Sequence, residues 1–320
     1  MCAKPVLWMP RRLSDATIER ARNTYDLILN EDDTPGTAEE IVAMSARVDA
    51  MIPCHSEHFT AEVVARLDQR LKIIANHSVG VDHCDLAALK ARDIVVTNTP
   101  DVLSDATAEL AMLLMLGAAR HAVAGDRLVR TGAWDSWSPS FMVGKQVTGA
   151  LLGIVGMGRV GRAMAQKARG FGMEIHYFNR SPLDPDMAQG ATYHATLETL
   201  LPQSDFLTLH CPATPETTDL MTARTLAMLP DGAVLVNAAR GALVDEAALI
   251  AALDAGKLAA AGLDCFKTEP GGNPAFSGYD NIFMLPHIGS ATKQTRDAMG
   301  YRALDNLDAF FAGGEPRDLV

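Results

Sequence analysis

Nine consecutive residues, Gly153-Ile154-Val155-Gly156-Met157-Gly158-Arg159-Val160-Gly161, constrain the fold of this chain more than any other stretch. Ala150 to Val155 is an apolar run of the kind that forms a buried strand. Gly156, Gly158 and Gly161 then fit G-x-G-x-x-G, and an alanine-rich amphipathic run from Arg162 to Phe171 reads as a helix. A second strand, Glu174 to Phe178, closes the unit. The glycines meet three separate steric needs, which are a tight turn, close approach of backbone to a pyrophosphate, and close packing of helix on strand. The helix N-terminus adds free N–H groups and the positive end of the helix dipole. A glycine-rich turn with a purely structural role is the alternative, but the strand–turn–helix–strand context makes this a dinucleotide-binding unit.

Strand-like and helix-like segments alternate along almost all of the 320 residues, which implies an α/β fold with parallel sheets. The first hundred residues read as strands near 5–9, 25–29, 49–53, 72–76 and 94–97, enough for a small doubly wound domain. Ser104 to Glu109 has the chemistry of a helix start, and the Leu-, Met- and Ala-rich pattern runs as one helix to about Arg130. Residues 132–149, with Trp134, Trp137, Pro139 and Phe141, read as a loop. Further strands fall near 205–209, 233–237, 259–264 and 281–285, and a last helix covers about 291–312. The fold class is therefore α/β with two doubly wound parallel-sheet domains. A dinucleotide-binding Rossmann domain, 102–285, is inserted in a flavodoxin-like domain made of 1–101 and 286–320.

Composition limits the partners. The chain is 48% hydrophobic and carries a net charge of −11, which disfavours nucleic acid or an anionic membrane surface. No apolar run reaches the ~18–20 residues of a membrane span, and the N-terminus has no signal-peptide pattern. The five cysteines, Cys2, Cys54, Cys84, Cys211 and Cys265, are odd in number and scattered without a C-x-x-C pair. Neither a disulfide framework nor a zinc site is indicated, and a cytoplasmic location is expected. The cysteines read as small apolar fillers.

Three polar residues follow strand-like runs in the second half. Val234 to Asn237 leads into Ala238-Ala239-Arg240-Gly241. Ala261 to Asp264 leads into Cys265-Phe266-Lys267-Thr268-Glu269-Pro270, and Ile282 to Leu285 leads into Pro286-His287-Ile288-Gly289-Ser290. Ligands of open α/β sheets sit outside the carboxyl ends of the strands, where Arg240, Glu269 and His287 all fall. This trio suits hydride transfer to a 2-oxo acid. The guanidinium offers a planar fork to carboxylate and carbonyl oxygens. The imidazole can protonate the carbonyl oxygen, and the glutamate can orient the ring and favour its charged form.

Val79-Gly80-Val81-Asp82, the glycine run, Asn237 to Gly241, Asp264 with Glu269-Pro270, and Pro286 to Thr292 together make the chain resemble the D-isomer-specific 2-hydroxyacid dehydrogenase family over nearly its full length. The resemblance implies Arg240, Glu269 and His287 as the catalytic residues. It implies a carboxylate-binding loop at Ser78, Val79 and Gly80, with Arg240 and His287 also touching a small 2-oxo acid substrate. The segment Trp134 to Pro139 is similar to glyoxylate/hydroxypyruvate reductases. That likeness implies a homodimer in which Trp137 reaches the partner's active site. Contacts to the coenzyme are implied at Thr107, at Gly156, Met157, Gly158, Arg159, Val160 and Gly161, and at Asn179, Arg180 and Ser181. They are also implied at Cys211, Pro212 and Thr217, at Ala238, Ala239 and Arg240, and at Asp264, His287, Gly289 and Ser290. No metal is implied.

The second strand of such a unit ends in an acidic residue when NAD is preferred, because a carboxylate accepts the ribose hydroxyls. That place, about twenty residues beyond Gly158, is Asn179-Arg180-Ser181 here. Donors and a positive charge suit a 2′-phosphate, so NADPH is the expected coenzyme, with NADH possible. The alternatives are a 3-phosphoglycerate or 2-ketogluconate dehydrogenase of the same family, or a dinucleotide-sensing binding protein without catalysis.

Overall fold

In the computed structural model, which describes residues 3–320, the chain divides into two compact units. Unit one runs to Leu103 and resumes from Ser290 to Val320; unit two is Ser104–Gly289. Cys2 lies outside the described residues.

Unit one is built on five parallel strands, β1 Val6–Met9, β2 Asp26–Leu29, β3 Ala50–Met51, β4 Ile73–Ala75 and β5 Val95–Thr97, in the order β2-β1-β3-β4-β5. This is the flavodoxin-like order. Strands covered on both faces must be apolar on both sides, and these are. Leu7, Met9, Ala50, Ile73 and Ala75 face one core with Ile18 and Ala21 of the helix Asp15–Thr24. Trp8, Met51, Ile74 and Val96 face the other, with Ile41, Val63, Val64 and Leu89 from three short helices. The returning helix Lys293–Phe311 joins the first core through Ala303, Leu304 and Leu307. It crosses the helix Asp15–Thr24 at Gly300, where a Cβ would lie 2.1 Å from Thr17 Oγ1. The C-terminus is pinned by Arg302, whose guanidinium donates to both Asp318 oxygens at 2.5 and 2.9 Å.

Unit two has seven parallel strands: β6 Leu151–Val155, β7 Glu174–Phe178, β8 Thr192–His194, β9 Phe206–Leu209, β10 Ala233–Asn237, β11 Leu258–Leu263 and β12 Ile282–Met284. Their order, β12-β11-β10-β9-β6-β7-β8, is that of a dinucleotide-binding sheet with one added edge strand. Alternate residues feed two cores. Leu152, Ile154, Val234 and Val236 pack under the helices Ser104–Ala119 and Arg159–Gly170, while Val155, Leu207, Leu235 and Leu263 face the opposite side. Among the described residues, no single helix is long and apolar enough to cross a membrane.

Two expectations from the sequence need correction. The helix expected from 104 to 130 is two, Ser104–Ala119 and Ala122–Arg130, bent by 69°. His121 between them is left-handed, with φ 54°. The chain returning at Gly144 packs on the Ala119 carbonyl, which accepts a hydrogen bond from the Lys145 N–H at 2.9 Å and so ends the first helix. Strand β8 is an addition, because its three residues are too few to show a period in the sequence.

His77, just past β4, is 4% exposed, and its Nε2 lies 3.4 Å from the Arg296 carbonyl oxygen. Burial, reinforced by the Arg296 charge, pushes its imidazole down to about 4. An unfolded histidine takes up a proton near 6.5, so this stabilisation is complete above that pH and is lost as pH falls toward 4. The loss amounts to roughly 3 kcal/mol. In urea unfolding, the stability deficit of His77→Gln against the parent should narrow as pH drops from about 7 to about 4.5. A deficit independent of pH would show that His77 is not held neutral.

Candidate active site and coenzyme site

Because β10, β11 and β12 are adjacent and parallel, the loops that follow them leave the same edge of the sheet side by side. Arg240 follows β10, Glu269 follows β11 and His287 follows β12. The sequence shapes each loop through side chains that hold backbone. Asn237, buried at the end of β10, donates through Nδ2 to the Arg240 carbonyl at 2.8 Å and accepts the Ala239 N–H at 3.1 Å. Gly241 has no room for a side chain: a Cβ there would lie 1.9 Å from the Phe266 carbonyl carbon. The β10 and β11 loops are thus in direct contact, and the Cys265 thiol donates to the Ala239 carbonyl at 3.3 Å.

Glu269 works with both oxygens. Oε1 accepts the Phe266 N–H at 2.8 Å, which fixes the carboxylate on its own loop. Oε2 lies 2.6 Å from His287 Nδ1, the short distance of a charge-assisted contact. The pair is part-open, with side-chain exposures of 28% for His287 and 23% for Glu269. His287 itself has φ 53°, a conformation a non-glycine residue adopts only when its surroundings hold it there. Asp264 does the holding. Its carboxylate, 1% exposed, accepts the Ile288 N–H on Oδ1 and the Gly289 N–H on Oδ2, each at 2.8 Å. Burial pushes the Asp264 carboxyl up to about 6, against these two N–H groups and the His287 charge, which pull it down. At neutral pH it remains mainly ionised and keeps two acceptors.

The coenzyme site lies on the same sheet. Gly156 is left-handed at φ 96°, and a Cβ there would lie 2.5 Å from the Cys211 amide nitrogen. A Cβ on Gly161 would lie 2.2 Å from the Gly156 carbonyl oxygen, whereas Gly158 has open space. The three glycines thus serve as turn, open approach and helix–strand contact. Gly158 caps the helix Arg159–Gly170 without a side-chain hydrogen bond, and the N-terminus of a helix is suited to an anion. This cradle fits a pyrophosphate. Met157 is buried, and its N–H donates to Asn179 Oδ1 at 2.7 Å. Asn179 therefore ties β7 to the glycine turn and turns its amide NH2 elsewhere.

Arg180 and Ser181 are exposed beyond β7. Past β9, Thr217 accepts the Thr214 N–H at 2.8 Å and donates to the Pro212 carbonyl at 2.7 Å, closing a turn after Cys211. Burial pushes the Cys211 thiol up to about 11. Thr107 is buried beside Gly289, with its Cγ2 3.4 Å from where a Cβ would stand, and Ala238 is buried at the mouth of β10.

Ser78, Val79, Gly80 and Ser290 belong to unit one; the Ser78 hydroxyl donates to the Gly80 carbonyl at 2.7 Å and shapes that loop. Trp137 is 73% exposed on the 131–150 loop and packs into no core. Sequence reasoning missed Asn237 and the clamping role of Asp264. A polar residue ending an apolar strand was the available signal, but it does not say which backbone groups the side chain will hold.

Residues 112–289 match the family model described as D-isomer specific 2-hydroxyacid dehydrogenase, NAD binding domain. The chain is 43% identical to a glycerate dehydrogenase of Hyphomicrobium methylovorum over 95% of each chain. It is 39% identical to a glyoxylate reductase of Pyrococcus horikoshii, covering 99% of this chain and 96% of the other. Among solved structures it is similar to an NADPH-dependent glyoxylate/hydroxypyruvate reductase of Sinorhizobium meliloti in complex with NADP and malonate. There the TM-score is 0.86 at 33% identity, over 99% and 97% of the two chains.

Asp264→Asn replaces one acceptor with a donor, so one of the two N–H groups after His287 meets another N–H. Stranding a buried donor costs about 1–3 kcal/mol. The variant should unfold at lower urea and turn over on the order of tenfold more slowly. Parental kcat in steady-state assays would show that the clamp is not what holds His287.

Proposed function

The chain belongs to the D-isomer specific 2-hydroxyacid dehydrogenase family and is an oxidoreductase of 2-hydroxy acids; within that family, we propose that it is an NADPH-preferring reductase of small 2-oxo acids. Glyoxylate, giving glycolate, and hydroxypyruvate, giving D-glycerate, are the leading substrates. The glyoxylate reductases and the glycerate dehydrogenase among its relatives support this choice, since D-glycerate oxidation is the reverse of hydroxypyruvate reduction.

The observation that carries the reading is the 2.6 Å contact between Glu269 and His287 Nδ1 on the edge that also carries Arg240. A nicotinamide, when bound, supplies the hydride. Glu269 engages Nδ1 and so leaves Nε2 as the nitrogen that gives its proton to the substrate oxygen. Arg240 binds the carboxylate and carbonyl oxygens through its fork, with Ser78, Val79 and Gly80 offering backbone N–H groups to the carboxylate. The clamped backbone at Asp264 keeps the imidazole in place through the cycle.

His287→Ala should lower kcat by about a hundred- to ten-thousandfold with glyoxylate while the Kd for NADPH stays near the parental value. Near-normal turnover would sink the mechanism. For the coenzyme, kcat/KM should be higher with NADPH than with NADH, and Arg180→Ala should chiefly raise KM for NADPH. A parental ratio favouring NADH would overturn the preference.

The reading includes a homodimer. The helix Ala122–Arg130 buries none of its residues; its Val129 is exposed, as are Trp134, Phe141 and Val143 in the segment that follows. A second copy of this chain is the occupant that would cover these apolar side chains, and it would bring Trp137 to its partner's substrate. Sedimentation at micromolar concentration should give the mass of two chains, and Val129→Glu should shift it toward one. A parent that sediments as a single chain would remove the dimer from the proposal.

A further inference from the structure

Strands β4 and β5 are parallel neighbours in unit one, so the loops that follow them leave the same edge of that sheet. The β4 loop carries Ser78, Val79 and Gly80, and it is closed at its base. Asn76 is buried there; its Oδ1 lies 2.8 Å from His83 Nε2, and its Nδ2 donates to the Thr97 carbonyl at 3.1 Å. Between these points all three loop carbonyls are held. The Ser78 carbonyl accepts the Thr99 N–H at 2.9 Å, the Val79 carbonyl accepts Asn98 Nδ2 at 2.8 Å, and the Gly80 carbonyl accepts the Ser78 hydroxyl at 2.7 Å. In a planar trans peptide the C=O of one residue and the N–H of the next point opposite ways. Drawing the Ser78 and Val79 carbonyls toward the β5 loop therefore turns the Val79 and Gly80 N–H groups away from it. Among the described residues neither N–H donates to a protein acceptor. Successive N–H groups facing one way suit an anion. Asn98 is itself anchored by main chain: its N–H donates to the Asp318 carbonyl at 3.1 Å, and Asn306 Nδ2 donates to its carbonyl at 3.4 Å.

We propose that Asn98 is a positioning residue, which grips the Val79 carbonyl and so aims the Gly80 N–H at the carboxylate of the 2-oxo acid. It rests on the reading above that residues 78–80 bind that carboxylate. The bond from Thr99 is main chain and survives substitution, whereas the bond from Asn98 is a side chain and can be removed alone. Without it the peptide between Val79 and Gly80 loses its tether, and one donor to the carboxylate loses its direction. An aspartate at 98 would set oxygen against the Val79 carbonyl oxygen and add a negative charge beside an anion site, so it should do more harm than alanine.

The test separates substrate from coenzyme. Asn98→Ala and Asn98→Asp are compared with the parent in steady-state turnover of glyoxylate and in NADPH binding. KM for glyoxylate should rise about five- to twentyfold in Asn98→Ala, and further in Asn98→Asp. Because the coenzyme site belongs to unit two, kcat should stay within about threefold and the Kd for NADPH within about twofold, the pattern of lost substrate binding. A merely structural role would not divide the two ligands in this way. The loop is read directly by NMR on the parent, with glycine alone carrying the NMR-active nitrogen isotope. The Gly80 amide, identified by its loss in Gly80→Ala, should shift as oxamate, an unreactive analogue of a 2-oxo acid, is added to the NADPH complex. An unchanged KM in both variants overturns the role of Asn98, as does a rise in KM matched by an equal rise in the Kd for NADPH. If the Gly80 amide responds to oxamate and KM does not move, only the role of Asn98 falls. If that amide ignores saturating oxamate, the carboxylate reading of the loop falls, and the proposal with it.

Discussion

The parallel pairing of β10, β11 and β12 is the constraint on which the site depends. Parallel neighbours end on the same edge, so three loops far apart in sequence begin one strand spacing from the next. Nothing in the loops themselves needs to bring arginine, glutamate and histidine together. What the loops must do is hold backbone against its tendency to relax, and two buried side chains do this. Asn237 braces the Arg240 turn, and Asp264 grips the two N–H groups after His287. Both are buried polar groups, and each is satisfied by main chain. The left-handed backbone of His287 is one cost of aiming a ring from a strand end, offset by the Asp264 bonds.

Electrostatics divides the sheet edge in two. At the active site, carboxylates serve as supports: Glu269 contacts the imidazole and Asp264 its backbone. At the coenzyme site the glycine turn offers N–H groups from an uncapped helix, and Asn179 uses its oxygen to fix that turn, which leaves a neutral donor where a carboxylate would repel phosphate.

Much of this was legible in the sequence, for physical reasons that differ by element. Gly156 and Gly161 could be read because no other residue fits: one needs a left-handed backbone and the other touches a carbonyl oxygen. Strands β6 and β10 were legible because burial on both faces demands an unbroken apolar run. The break near His121 was not, because it is set by Gly144 and Lys145 meeting Ala119 from a distance. The partners of Asp264 and Asn237 were hidden for the same reason, since a carboxylate or amide at a strand end has many possible uses.

Three thiols, one buried and two half-buried, bear on how such an enzyme behaves under oxidative stress. Burial pushes Cys54 and Cys84 up to about 12, as it pushes Cys211 to about 11. At neutral pH each stays a protonated thiol, whereas an open cysteine is partly thiolate. Peroxides and alkylating electrophiles react with the thiolate, so these three positions give them almost nothing to attack. These sulfur atoms are therefore bystanders to such chemistry.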